Sequence, residues 1–313
     1  MRILNITNKD WANYGYDNLT ALKAAGADAD GCKFRPHGFH YENEMDIVDE
    51  MEAIQKIRKA DIIQIIHSDL HCFMLCKNIG KKIIIYHTGT GYRQNVLSYN
   101  EYFNSFVDFS ITDQTEFMEL GAKGIRYLTT AIGTERIFPQ KEISGKIKIG
   151  HFPSKTKNDL KGTSKILNML YECKKLFDKE DRFEVIACLE KIPHNKYLEK
   201  LQTCDIYVEL FAPEQNGKPY GCYGVTAFEA AAMGKIVVTQ NLYPDIYQKE
   251  FGGTELIYTN TKEIFMTIFE ILMKQTEQEL KTKQEMTRQW LVEKHSYPAI
   301  GKKLIGWLNE NNT

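Results

Sequence analysis

The sequence predicts an α/β chain built from two doubly wound parallel sheets in succession. Short, mostly apolar runs bounded by polar residues recur along it without clean alternation, as strands covered on both faces do. Longer amphipathic stretches separate them in β-α-β order. The series breaks once, over residues 130–145, where Gly133, Pro139 and Gly145 mark a linker.

In the first series the expected strands are 3–7, 62–66, 83–86 and 106–111, and the expected helices 16–25, 45–59 and 114–120. In the second, KIKIGHF, FEVIACL, DIYVELF and KIVVTQ read as strands, with helices over 165–177, 195–202 and 226–233. From residue 261 onward the pattern is mostly helical, and Ile300, Leu304 and Leu308 form a stripe with Trp307 beside it. Two such halves imply a cleft, with ligands at the carboxyl ends of the strands.

The totals narrow the function. A chain of 313 residues suits two domains of ordinary size. A net charge of −1 supplies no global field for nucleic acid or an acidic membrane. The seven cysteines are scattered, and Cys72 and Cys76 lack a second close pair, so reduced thiols in a cytoplasmic protein are expected and no zinc site is. Met1 leads straight into the first strand, no signal peptide is read, and no apolar run approaches the roughly 20 residues of a spanning helix.

The stretch 220–238, YGCYGVTAFEAAAMGKIVV, reads as a glycine-bearing loop, a short helix carrying Glu229, a stop at Gly234 and a buried strand. That order offers amide N–H groups and the positive end of a helix to an anion, with a carboxylate in the same helix. A second candidate is 146–162, KIKIGHFPSKTKNDLKG, where a strand ends near His151 and a lysine loop leads to a helix near Gly162. Lys155, Lys157 and Lys161 suit a departing diphosphate, whose negative charge grows as its bond breaks. Each stretch also has a plain reading, as strand packing and as a solvated loop.

Other sites read more weakly. His67 and His71 have metal-like spacing but no third ligand, and His37 and His40 sit in a polar loop. Asp28-Ala29-Asp30, at the start of the second strand, reads as a loop solvated by its charge rather than a metal motif. Gly15 follows strand one, where either a ligand or a tight turn calls for glycine. No Gly-x-Gly-x-x-Gly follows that strand, and no Gly-x-Ser-x-Gly elbow or P-loop occurs, against dehydrogenase, esterase and kinase readings.

The motifs HFPSKTKNDLKGT, IPHNKYLEKLQTCDIYVEL and YGCYGVTAFEAAAMGKIVV, in this order, resemble the retaining GT-B glycosyltransferases of family 4. Weaker similarities in the first half are Asn13–Gly15, DIIQIIHSD, the GTGYR after IIIYHT, and AIGTERIF. The resemblance implies two Rossmann-like domains facing across a cleft: an acceptor-side domain over 1–140, a nucleotide-sugar domain over 141–290, and a last helix, 291–313, returning to the first. It implies that Lys161 binds the diphosphate, with Lys155 standing where the family usually has arginine. Glu229 would take the ribose hydroxyls. Gly162, Gly224 and the amides of Val225 and Thr226 would approach the phosphates, and Gly15 the donor phosphate or the acceptor. Ile192 and Pro193 would lie near the base.

The family often has a glutamate eight residues before Glu229. Gly221 stands there, so the chain looks like the Gly-x-Tyr-Gly form with Gly221, Tyr223 and Gly224, and Glu209 or Glu214 is an alternative carboxylate that is not chosen. His87 ends an apolar strand and is expected to face the cleft near the reacting carbon, although Thr88 separates it from Gly89. Arg93 is a candidate for the acceptor side, for holding its loop, or for a surface ion pair. The expected activity is transfer of a sugar from a nucleoside diphosphate sugar, with UDP the expected nucleotide, to a hydroxyl with retention and without metal or other cofactor. The acceptor is left open among a glycan, a metabolite and a hydroxymethylated DNA base. A UDP-sugar epimerase or hydrolase and a non-catalytic nucleotide-binding protein are the alternatives.

Overall fold

The computed structural model of the chain describes residues 1–137, 145–153, 159–178, 181–258 and 264–310. It divides into two compact units, Met1–Gly133 together with the segment from Lys294, and Thr134–Glu293. The expected linker falls partly outside the described residues, and the division lies ahead of residue 140.

The first unit contains β1 (Arg2–Lys9), α1 (Tyr14–Ala24), β2 (Asp28–Arg35), β3 (Asp46–Ile47), α2 (Glu50–Lys59), β4 (Ile62–Ile66), α3 (Leu70–Cys76), β5 (Lys82–His87), α4 (Gly89–Gln94), α5 (Val96–Phe103), β6 (Phe109–Thr112) and β7 (Arg126–Tyr127). The sheet order is β3-β2-β1-β4-β5-β6-β7, every ladder parallel. Strand order reverses between β1 and β4, the topological switch point at which open α/β sheets bind ligands.

Strand β4 shows why the apolar runs were legible. All five residues of IIQII are buried, and Ile63 and Ile65 enter the core with Leu4, Ile6, Ile83 and Ile85. Each such side chain contributes about 2 kcal/mol by leaving water. Polar strands were less legible. Asp28-Ala29-Asp30 lies within β2, not in a solvated loop: Ala29 is buried, and Asp30 accepts from Lys56 Nζ at 3.0 Å to each oxygen and from Arg2 at 3.3 Å. Burial pushes the Asp30 carboxyl up, but Lys56 outweighs it and holds the pKa below the usual aspartate value.

The expected helix over 45–59 begins only at Glu50, because Asp49 caps it by accepting from Glu52 N at 2.8 Å, while Asp46–Ile47 pairs with β2. The expected helix over 114–120 is one 3-10 turn, Thr115–Phe117, and the expected strand over 106–111 starts at Phe109.

The second unit contains β8 (Ile147–His151), α6 (Thr163–Phe177), β9 (Phe183–Ala187), α7 (His194–Gln202), β10 (Ile206–Val208), β11 (Glu214–Gln215), β12 (Lys218–Pro219), α8 (Val225–Ala232), β13 (Ile236–Thr239), α9 (Pro244–Phe251), β14 (Ile257–Tyr258), α10 (Ile264–Lys274) and α11 (Glu277–His295). Its main sheet, β14-β13-β10-β8-β9, is also parallel, with its reversal between β8 and β10. Ile149, Ile166, Leu170, Val208, Phe211 and Val238 form the centre of its core. The hairpin β11–β12 turns through Asn216 and Gly217, both at positive φ (+53° and +72°), the mirror-image turn that suits strand twist.

The last helix, α12 (Tyr297–Glu310), packs in the first unit on α1. A Cβ at Gly301 would stand 1.9 Å from Ala21 O, so the two backbones meet there. Tyr297 Oη donates to Asp17 at 2.7 Å and Lys82 Nζ to Leu308 O at 3.1 Å. No helix among the described residues is long and apolar enough to cross a membrane.

Candidate functional site

The polar groups of the second unit gather at the carboxyl ends of its central strands. β8 ends at His151, β10 runs into Glu209, and β13 ends at Thr239. Gly162 caps the start of α6, Gly224 that of α8 and Pro193 that of α7. Amides in the first turns of helices have no intrahelical acceptor, so the start of α8 presents donors and a positive dipole end, whereas at α6 Ser164 N donates to Asp159 at 3.3 Å and at α7 Lys196 N donates to Asn195 at 2.9 Å.

Glu209 is the hub. Its side chain is fully buried and its Oε1 lies 2.6 Å from Lys161 Nζ. Thr226 Oγ1 donates to the same oxygen at 3.0 Å, and Thr239 Oγ1 donates to Oε2 at 2.9 Å. Gly224 N also reaches Oε2 at 3.4 Å. Burial disfavours both charges of the pair, yet their mutual attraction wins: Lys161 is held above the usual lysine pKa and Glu209 below the usual carboxylate value. Lys161 therefore stays an ammonium, with its side chain 19% exposed.

Two glycines make this geometry possible. Gly162 has φ +70°, and a Cβ there would stand 2.2 Å from Phe211 O, while Phe211 N donates back to Lys161 O at 3.1 Å. A Cβ at Gly224 would stand 2.2 Å from Glu209 Oε1 and 3.3 Å from Lys161 Nζ. Below them, His151 bridges β8 and β10: Nδ1–H donates to Val208 O at 2.8 Å, and Nε2 accepts from Thr163 at 3.0 Å. Burial pushes its pKa down to about 4, so the ring is neutral.

Glu229, buried in α8, lies 2.5 Å from His194 Nε2. Ile192 and Pro193 directly precede His194, and Pro193 is the residue at the start of α7. Sequence reasoning missed His194 altogether and set Glu209 aside. The signal for Glu209 was present in DIYVELF, where a carboxylate ends an otherwise buried strand. Glu214 is exposed in the β11–β12 hairpin. Lys155 and Lys157 lie outside the described residues.

Tyr223 does not line this edge. It is 2% exposed and packs edge-to-face against Phe228 and Tyr247, at centroid distances of 6.0 and 5.1 Å. Gly221, at φ +121°, is packed against Gln240, where a Cβ would stand 1.8 Å from Nε2.

The first unit departs further from expectation. His87 is fully buried, accepts or donates through Nδ1 with Ser68 Oγ at 2.8 Å, and stacks on Tyr92 at 4.0 Å. Burial pushes its pKa down to about 3. It is a packed core histidine, not one on an open ligand surface. Arg93 is also interior: its guanidinium pairs with Glu116 at 2.6 Å, contacts Gln114 at 3.4 Å and lies 4.9 Å from the Phe117 ring centre. That is a buried ion pair holding the loop, not a surface one.

At Gly15 the amide cradle is already filled. Gly15 N and Tyr16 N donate to Asp10 at 2.7 and 3.0 Å, so the start of α1 holds a carboxylate of its own and disfavours a phosphate there. His67 lies in the turn directly after β4 and meets Thr88 at 2.6 Å and Asp10 at 3.4 Å, while His71, within α3, pairs with Glu50 at 3.4 Å. Among the described residues no group of three or more His, Cys, Asp or Glu is arranged to hold a metal ion.

No protein-family model and no curated protein matches the chain. Solved structures do, across its whole length. HepE of Anabaena, in complex with UDP-glucose, superposes with a TM-score of 0.69 at 13% identity, covering 99% of this chain and 100% of its own. A glycosyltransferase of Rickettsia africae gives 0.62 at 14% identity over 99% and 98%. Sucrose-phosphate synthase of Thermosynechococcus elongatus gives 0.61 at 12% identity over 99% of both. With two parallel-sheet units and these likenesses, the chain has the GT-B fold.

Proposed function

We propose that this protein is a glycosyltransferase that takes a sugar from a nucleoside diphosphate sugar, with UDP the favoured nucleotide, and gives it to a hydroxyl acceptor. The observation that carries the reading is the Lys161–Glu209 pair between the starts of α6 and α8, at the switch point of the second unit's sheet. A diphosphate needs a fixed cation and amide donors, and this edge has both. HepE was solved with UDP and glucose, which supports the choice of nucleotide.

In the proposed reaction the bond from the anomeric carbon to the diphosphate oxygen breaks and its electron pair stays on the diphosphate. Lys161 and the first-turn amides of α8 stabilise that charge as it grows, without a bound metal. The acceptor oxygen bonds to the anomeric carbon, and its proton passes to a diphosphate oxygen. Retention of configuration is the outcome the family resemblance implies. Glu209 acts as a positioning residue: its oxygens are engaged by Lys161, Thr226 and Thr239, and it keeps Lys161 charged. Glu229 takes the ribose hydroxyls, in place of or beside His194.

A thermal-shift panel of UDP, GDP and ADP tests the reading. UDP at about 100 times its dissociation constant adds roughly 2.7 kcal/mol of stability. A selective rise with UDP is expected, and no rise with any nucleotide would overturn the donor site.

A further inference from the structure

We propose that Trp11, Phe39 and Tyr41, gathered around His37 in the first unit, form a sugar-binding platform, and that the acceptor is a saccharide presenting an apolar ring face. The inference deepens the glycosyltransferase reading by naming its acceptor class.

The place is set by topology. β1 and β4 flank the switch point of the first sheet, and β1 runs directly into Asp10 and Trp11. Trp11 opens a short 3-10 turn in which Ala12 and Asn13 are left-handed, at φ +54° and +60°. Asparagine adopts that conformation readily, whereas an alanine holds it only when neighbours enforce it. Asn13 is tied by Nδ2 to Asn43 O at 3.0 Å, and Asp10 is tied to the start of α1. The turn leaves the indole 50% exposed.

The rings around it are ordered. His37 stands at 5.2 Å and 85° to Trp11, with Phe39 at 4.9 Å and Tyr41 at 5.5 Å from His37. Phe39 and Tyr41 are half-buried, and Lys9 Nζ lies 4.2 Å from the indole centre. His37 Nδ1 accepts from Phe39 N at 3.1 Å, so the ring proton sits on Nε2. That N–H is buried and has no acceptor among the described residues. A buried donor left unpaired is costly, and a ligand hydroxyl that reaches it removes the cost.

Ring chemistry selects the ligand. The loop between Pro36 and Met45 carries Glu42 and Glu44, Glu44 is paired with Lys33, and Lys9 Nζ lies over the indole, so the rim carries charge of both signs. Aromatic rings beside an unmet N–H suit a polyol, whose C–H face lies on the rings while its hydroxyls meet the polar groups.

The test titrates the full chain with methyl glycosides of glucose, galactose, mannose and N-acetylglucosamine and with their oligomers, read by tryptophan fluorescence. A duplex carrying 5-hydroxymethylcytosine is titrated in parallel, read by anisotropy. At least one saccharide is expected to bind, with affinity lost tenfold or more in Trp11→Ala and kept within about threefold in Trp11→Phe. Melting curves of both variants confirm that they are folded. No saccharide binding, equal binding by Trp11→Ala, or binding of the duplex alone overturns the platform. UDP binding by the wild-type chain separates the two readings. UDP bound without any saccharide defeats the platform alone, and a saccharide bound without UDP defeats the donor reading while the platform stands.

Discussion

Lys161 Nζ and Glu209 Oε1, 48 positions apart in the chain, lie 2.6 Å from each other at the carboxyl ends of β8 and β10. The pair fixes a cation where the second sheet reverses its strand order, and two threonine hydroxyls fix the carboxylate in turn.

Removing the cation should be a catalytic lesion. Lys161→Ala is expected to cut kcat by about 10²–10³, the usual effect of deleting one group that stabilises developing charge. Turnover of a UDP-sugar by matched protein samples checks this, and near-normal kcat would remove Lys161 from the mechanism.

Removing the carboxylate should be a stability lesion first. Glu209→Gln leaves Lys161 without its counter-charge. Breaking a buried pair costs about 3–5 kcal/mol, and the partial exposure of Lys161 puts this case at or below the lower figure. Urea unfolding measures it, and an unchanged midpoint would show that water already screens the pair.

Gly224→Ala tests the fit of the loop. The new methyl would need the space of Glu209 Oε1, so the carboxylate and Lys161 must both shift. UDP affinity is expected to fall about tenfold, about 1.4 kcal/mol, with the melting temperature lowered too. Isothermal titration with UDP decides it.

The Glu229–His194 contact predicts a ribose effect. If Glu229 takes the ribose hydroxyls, UDP should bind more tightly than 2′-deoxy-UDP, and Glu229→Ala should erase the difference. A charge-assisted bond of about 1.5–3 kcal/mol sets the expected preference at roughly ten- to a hundredfold. Equal binding of the two nucleotides by the wild type would place the ribose elsewhere.

Buried histidines predict acid sensitivity. Burial pushes His37 and His151 down to about 4 and His87 and His295 down to about 3. Between the unfolded value of about 6.5 and these folded values, the unfolded chain binds protons that the folded chain does not. Stability is therefore fully present above about pH 6.5 and is lost as pH falls toward 4. Each histidine accounts for up to about 2 kcal/mol between pH 7 and pH 5. Urea midpoints at those two pH values check the sign, and a higher midpoint at pH 5 would reverse it.

By itself the sequence determined the two-sheet plan, because buried parallel strands such as IIQII and KIVV must be apolar on both faces. It also determined the glycine positions at the helix starts, because Gly162 and Gly224 stand where any Cβ meets backbone or a carboxylate. The Asp28-Ala29-Asp30 start of β2 reads as a solvated loop because the charge of Asp30 is neutralised by Lys56 and Arg2 from other elements, a pairing no local pattern records. Only the tertiary structure decided which polar groups work together. It set Glu209 rather than Glu214 beside Lys161, filled the Gly15 cradle with Asp10, and sank His87 and Arg93 into the first unit's interior. Spacing along a strand says which residues share a face. How deep that face lies, and which partner from a distant strand reaches it first, depends on the packing of the whole unit.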